Sequence, residues 1–169
     1  MRERSELFHE LYDKLRQLAR GRLVGEYGPE IKGDATSLVH EAYIRLRNWA
    51  HAYQNEQHFL STASAAMRQI LVDRARARNS LKRASDRETL SVSLESVGSR
   101  PLFVDVLAFD QILAKLSLFD QRAARIVEMR VFLGLTEEEI ANELSLSTRT
   151  VKRDWSAAIT WLKANAKLF

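Results

Sequence analysis

Six side chains near one end of the sequence, Ser147, Thr148, Arg149, Lys152, Arg153 and Ser156, are hydrogen-bond donors at helical spacing. Hydroxyls and cations at the start of a helix suit phosphate oxygens, and Arg and Lys suit the acceptor edges of bases in the major groove. The residues around them have the pattern of a helix-turn-helix. Thr136 and Glu139 have the spacing of a capping box. Ala141 is the small residue needed where two helices cross. Ile140, Leu144, Leu146 and Val151 form the locking set, which Trp155 and Ile159 extend. Ser145 stands in the turn, where glycine is commoner, and Ser147 has the position of a cap for the second helix. An ordinary hairpin with a solvated basic face would share the charge. It would not share the cap, the crossing residue and the turn at these spacings. The pattern predicts a reader of duplex DNA.

A second constellation lies earlier. Between positions 68 and 87, Arg68, Arg74, Arg76, Arg78, Lys82, Arg83 and Arg87 face only Asp73 and Asp86. The excess here is larger than the +4 of the whole chain, and such a density attracts phosphate by counterion release. Just upstream are Trp49, His51, Tyr53, Gln54 and Asn55, whose aromatic rings suit stacking on unpaired bases. The plain alternative is that Trp49 and Tyr53 are core residues and the arginines solubilise a helix end. Two nucleic-acid surfaces in one chain would bind as a linked pair, one on duplex and one on melted strand.

Catalytic chemistry is not indicated. The four histidines are scattered, and His40–Glu41 is followed by Ile44 where a zinc-binding H-E-x-x-H pair requires histidine. There is no Walker loop or nucleophile elbow. No cysteine is present, which excludes disulfides and thiolate metal sites. We expect no enzyme, no metal and no cofactor. No stretch approaches the roughly 20 apolar residues of a membrane span, so a soluble, cytoplasmic protein is expected.

The elements that must position these groups are helical. Two prolines and six glycines in 169 residues, with little β-branched alternation, predict an all-α protein. Helical spacing is read at Phe8–Leu18, at about 36–49, from Asn55 as a cap through Ile70, from Asp105, and from Asp120 as a cap to Gly134 as a stop. Between them Ser85, Ser91, Ser93, Ser96, Gly98, Ser99 and Pro101 interrupt the periodicity. The expected organisation is two small helical domains, 1–83 and 103–169, joined by a flexible linker over 84–102.

The order of these features resembles an extracytoplasmic-function sigma factor of bacterial RNA polymerase, a sigma-70-type protein, over nearly the whole chain. Residues 136–163, TEEEIANELSLSTRTVKRDWSAAITWLK, are similar to the region that reads the −35 promoter element. Residues 34–49, DATSLVHEAYIRLRNW, resemble the segment that docks on the clamp helices of the β′ subunit. Residues 58–78, HFLSTASAAMRQILVDRARAR, resemble the segment that opens and captures the −10 element. The helix-turn-helix is widely shared, whereas the LVHEAYIRL and RQILVDRAR blocks in this order are far more specific. The resemblance implies −35 contacts from Ser147, Thr148, Arg149, Lys152, Arg153 and Ser156. It implies −10 contacts from Tyr53, Gln54, Asn55, Arg68, Arg74 and Arg78, and polymerase docking through Leu38, Val39, Glu41, Tyr43 and Arg45. The stretch between Asp105 and Gly134 would include the surface that meets the β flap. In the family it resembles, compact packing of the domains commonly hides both DNA surfaces, and the resemblance implies control by an anti-sigma factor or a Ser/Thr kinase.

One departure stands out. The docking segment usually reads close to D-A-E-D-L-V-Q-E. Here Thr36 and Ser37 occupy the two acidic positions, which weakens attraction to a basic clamp surface. A subgroup with such a change is associated with Ser/Thr kinases. Phosphorylation of Thr36, or less readily Ser37, would restore about −1.5 to −2 of charge near a helix amino terminus. The plain alternative is that Thr36 is a helix cap. The competing function for the chain is a dimeric helix-turn-helix regulator on an operator, which would require a dimerisation or effector module.

Overall fold

The structure is a computed structural model that describes residues 9, 12–13, 35–48, 59–81, 91–94 and 102–166. Among the described residues six helices can be traced from end to end: α1 (Ala35–Asn48), α2 (Phe59–Leu81), α3 (Val106–Phe119), α4 (Gln121–Leu133), α5 (Glu137–Leu144) and α6 (Thr148–Ala166). The all-α expectation holds, with one addition. Strands β1 (Ser91–Leu94) and β2 (Leu102–Asp105) pair antiparallel, with Val92 opposite Val104 and Leu94 opposite Leu102.

Strand β1 lies in the stretch read as a flexible linker, and β2 at the start of the second half. Val92, Leu94 and Val104 are buried, so the alternation that places i and i+2 on one face is present. It spans too few residues, among too many serines, to register as a period. The ribbon rests against α3 and α4.

Local chemistry sets the helix ends. Asp105 caps α3 by accepting from Leu107 N and Ala108 N at 3.0 and 3.1 Å. Asp120 caps α4 through Ala123 N at 2.9 Å, as its sequence position predicts. Gly134 ends α4 in the left-handed region, φ 61°, where a side chain would be strained.

One buried cluster runs through both halves of the chain. Met67, Ile70 and Leu71 of α2 are fully buried, as are Phe109, Ile112 and Leu113 of α3 and Phe132 of α4. The closest packing between the halves is α2 on α4. Phe109 and Phe132 tilt against each other at 5.8 Å within this layer. Val151, Ile159 and Leu162 of α6 complete it.

Candidate nucleic-acid interface

The helix-turn-helix forms as its residues dictate. Thr136 Oγ1 accepts from Glu139 N at 3.2 Å, and Glu139 Oε2 accepts from Thr136 N at 2.9 Å. Two orphan donors at the start of α5 are thereby satisfied. The helix stops at Ser145, φ 54° and ψ 44°, the only non-glycine residue with positive φ among those described. Leu146 N then donates to Ala141 O at 2.8 Å, which closes the turn. Ser147 Oγ accepts from Thr150 N at 3.1 Å and so caps α6.

Ile140, Ala141, Val151, Trp155 and Ile159 are buried, and Leu144 and Leu146 are half-buried. The opposite face presents Ser147, Thr148, Arg149, Lys152, Arg153 and Ser156, all exposed. The packing between the halves leaves this face exposed. Two of the cations are braced. Lys152 Nζ lies 3.4 Å from Glu137 Oε2, and Arg153 donates through Nε and Nη2 to Asp154 Oδ1 at 3.1 and 3.0 Å. Arg130 links Glu137, at 3.1 Å, to the ring of Trp155, at 4.5 Å, tying α4 to both helices of the motif.

The basic helix α2 is arranged differently from a simple exposed rack of arginines. Arg68 turns into the seam between the halves. Its Nε lies 3.1 Å from Glu128 Oε1 and 3.5 Å from Asp110 Oδ1. The Glu128 oxygen receives no hydrogen bond, so that pairing is Coulombic rather than directional. Burial pushes the Glu128 carboxyl above its ordinary value, with Arg68 and Arg125 opposing the shift and Asp110 adding to it. Arg74 reaches back to α1 and donates to Glu41 Oε2 at 3.1 Å and to Ser37 Oγ at 3.0 Å. Arg78 is half-buried and Arg76 exposed. Tyr53, Gln54 and Asn55 lie outside the described residues.

On α1, Val39 is buried in the core and supports the helix from behind, so it offers no docking surface in this packing. An apolar residue facing the core and one facing a partner share the same sequence signal. Glu41, Tyr43 and Arg45 are half-buried, and Tyr43 packs edge-on against Tyr12 at 5.6 Å. The side chains of Thr36 and Leu38 are outside the described set. His40 and Ile44, which the sequence did not assign to docking, are exposed here. With Ser37, Glu41 and Arg45 they line a shallow groove of about 630 Å³. Ile44 breaks the helical stripe formed by Val39, Ala42 and Leu46, and that mismatch is the signal that marks it as outward-facing.

No helix among the described residues is long and apolar enough to cross a membrane. No curated protein and no solved structure matches the chain. The family model described as ECF sigma factor matches residues 2–167, which include both the helix-turn-helix and the basic helix. The chain belongs to the ECF sigma factors, the initiation subunits that bind RNA polymerase core and promoter DNA.

Proposed function

We propose that this sigma factor directs the polymerase to a specific promoter set by reading a −35 element with α6 and a −10 element with the first half of the chain. The observation that carries the reading is the exposed row of Ser147, Thr148, Arg149, Lys152, Arg153 and Ser156 on a helix whose turn and caps are fully formed. The −10 contacts come from Tyr53, Gln54, Asn55, Arg74 and Arg78, joined by Arg68 once it leaves Glu128. Polymerase docking uses Leu38, Glu41, Tyr43 and Arg45, of which Glu41 and Arg45 line the groove on α1. Leu118 and Phe119, 84% and 79% exposed, form an apolar knob between α3 and α4 that suits the β flap. Reconstitution with core polymerase, followed by footprinting on genomic promoter fragments, tests the reading. Dimeric binding to duplex, with no stable association with core polymerase, would favour a conventional operator-binding regulator instead.

The docking function is controlled by phosphorylation of Thr36, or secondarily Ser37, by a Ser/Thr kinase. Two observations support this. The first turn of α1 contains no acidic residue, although negative charge is favoured there. The exposed Ser37 hydroxyl is within hydrogen-bond reach of the Arg74 guanidinium, so a phosphate at this corner meets a cation. Run-off transcription with Thr36→Ala and Thr36→Glu decides it. Full activity of the Ala form in the absence of any kinase removes the proposal.

A further inference from the structure

Asp154 is an acid on the reading helix, yet its side chain is only 7% exposed. Its two oxygens are divided between two arginines. Oδ2 accepts from Arg122 Nε at 2.7 Å, and Oδ1 accepts from Arg153 through Nε and Nη2. Both guanidiniums remain open to solvent, 47% and 69% exposed. One buried negative charge thus holds two positive charges in fixed positions, which leaves a net cation at the surface. The exposed Arg125 follows Arg122 by three residues on α4, on the same side of that helix. Gln121, Arg122 and Arg125 rim a cleft of about 280 Å³ whose remaining walls are Leu144 and Leu146, the residues on either side of the helix-turn-helix turn.

The position of this cleft decides what it meets. Lys152 faces α5 through Glu137. Asp154 stands two residues further on, about 200° round the helix, and faces α4 through Arg122. The two flanks of α6 therefore abut different helices. A helix with its side chains is about 10–12 Å across, close to the width of the major groove. Groups on either flank of a helix seated there meet the phosphate ridges and not the bases.

We infer that Arg122, Arg125 and Gln121 form a clamp on the DNA backbone beside the −35 contacts, with Asp154 as the positioning residue that holds Arg122 and Arg153 at a fixed separation. The arginines hold phosphate oxygens, and Leu144 and Leu146 offer an apolar floor to the deoxyribose. The inference rests on the duplex reading proposed for α6. Such contacts strengthen binding and fix register without reading sequence.

The test uses the full chain and two short duplexes, one selected from a random pool by the wild-type protein and one with that sequence scrambled. Binding is measured over a series of salt concentrations. Arg122→Ala and Arg125→Ala should each weaken both duplexes equally, by roughly tenfold. Each should lower the slope of log affinity against log salt by about 0.9. Arg122→Lys, which keeps the charge, should restore the slope, and Arg125 makes no contact with Asp154, so Arg125→Ala separates lost phosphate binding from a disturbed fold. Arg149→Ala serves as the contrast, because it should reduce discrimination between the duplexes. If Arg122→Ala and Arg125→Ala keep the wild-type affinity and slope while Arg149→Ala loses discrimination, the clamp is overturned and the reading of α6 stands. Losses confined to the selected duplex would also overturn it, because they indicate base contacts. If the wild-type chain binds neither duplex, both fail.

Discussion

Arg68 and Glu128 face each other across the seam between α2 and α4, with Nε 3.1 Å from Oε1. One residue belongs to the half proposed to hold the −10 element, the other to the half that contains the helix-turn-helix. Removing Arg68 leaves Glu128 and Asp110 together without their guanidinium. For a pair that is mostly but not wholly buried, Arg68→Ala should lower stability by about 2 kcal/mol at neutral pH. Acidification should reduce the loss, because the carboxyls then carry less charge. Chemical denaturation at two pH values checks both parts.

Glu128 itself makes a separate prediction about pH. Burial raises its carboxyl above the ordinary value of 4.5. A folded-state value above the unfolded one means that the folded chain binds the proton more tightly. The contribution of this group to stability is therefore largest below pH 4.5 and declines as pH rises through the raised value. Glu128→Gln should remove that part of the decline and melt at or above the wild-type temperature at neutral pH. Melting curves across the acid-to-neutral range measure it, and parallel profiles for the two proteins would count against it.

Ser145 holds a backbone conformation that glycine adopts freely. Ser145→Gly should stabilise the protein by about 0.5–1 kcal/mol, and Ser145→Val should destabilise it by more than that, because a β-branched residue is poorly tolerated at positive φ. Thermal melts of the two variants against the wild type distinguish a strained turn from an indifferent one.

Ala141 is 4% exposed where α5 meets α6. A larger side chain has no room there, and Ala141→Leu should cost about 1–3 kcal/mol. The exposed donors of α6 are untouched by this change, so any loss of duplex binding reports the angle between the two helices. Binding and melting are measured on the same samples, and intact binding alongside lowered stability would show that the crossing does not aim the reading helix.

Arg149 is exposed, with no ion pair among the described residues to position it. Its proposed partner is a base edge. Arg149→Ala should cost about 1–3 kcal/mol on one preferred sequence and relax selectivity at a single base position. Selection from randomised duplexes with the variant shows whether one position loses its preference.

The parts of this molecule that were legible in the sequence are those governed by neighbours in the chain. Asp120, Gly134, the Thr136–Glu139 box and Ser147 act within three or four residues of themselves, and each stands where its type and spacing place it. The exposed face of α6 follows from the same periodicity. What was not legible depends on distant partners. Nothing in the spacing of Arg68 indicates Asp110 or Glu128, 42 and 60 positions away, and the resemblance assigns it only to the −10 contacts. Val39 has the composition of a docking residue and the burial of a core one. The carboxylate that fixes Arg122 is likewise 32 residues further on.

Glu41 divides its oxygens between Arg45 and Arg74, and Arg45 also meets Asp73. Each of these side chains is between 23% and 46% exposed, so dissolved ions screen the attractions that pin this corner of α1 to α2. The carboxy-terminal helices are held by caps, a closed turn and apolar contact, and their ion pairs centre on the buried Asp154 and the 20% exposed Glu137, which salt reaches less. The two ends of the molecule consequently differ in how they respond to salinity. In brine the backbone amides of α1 should exchange with solvent earlier than those of α5 and α6, the corner proposed to meet the polymerase loosening while the reading helix keeps its shape.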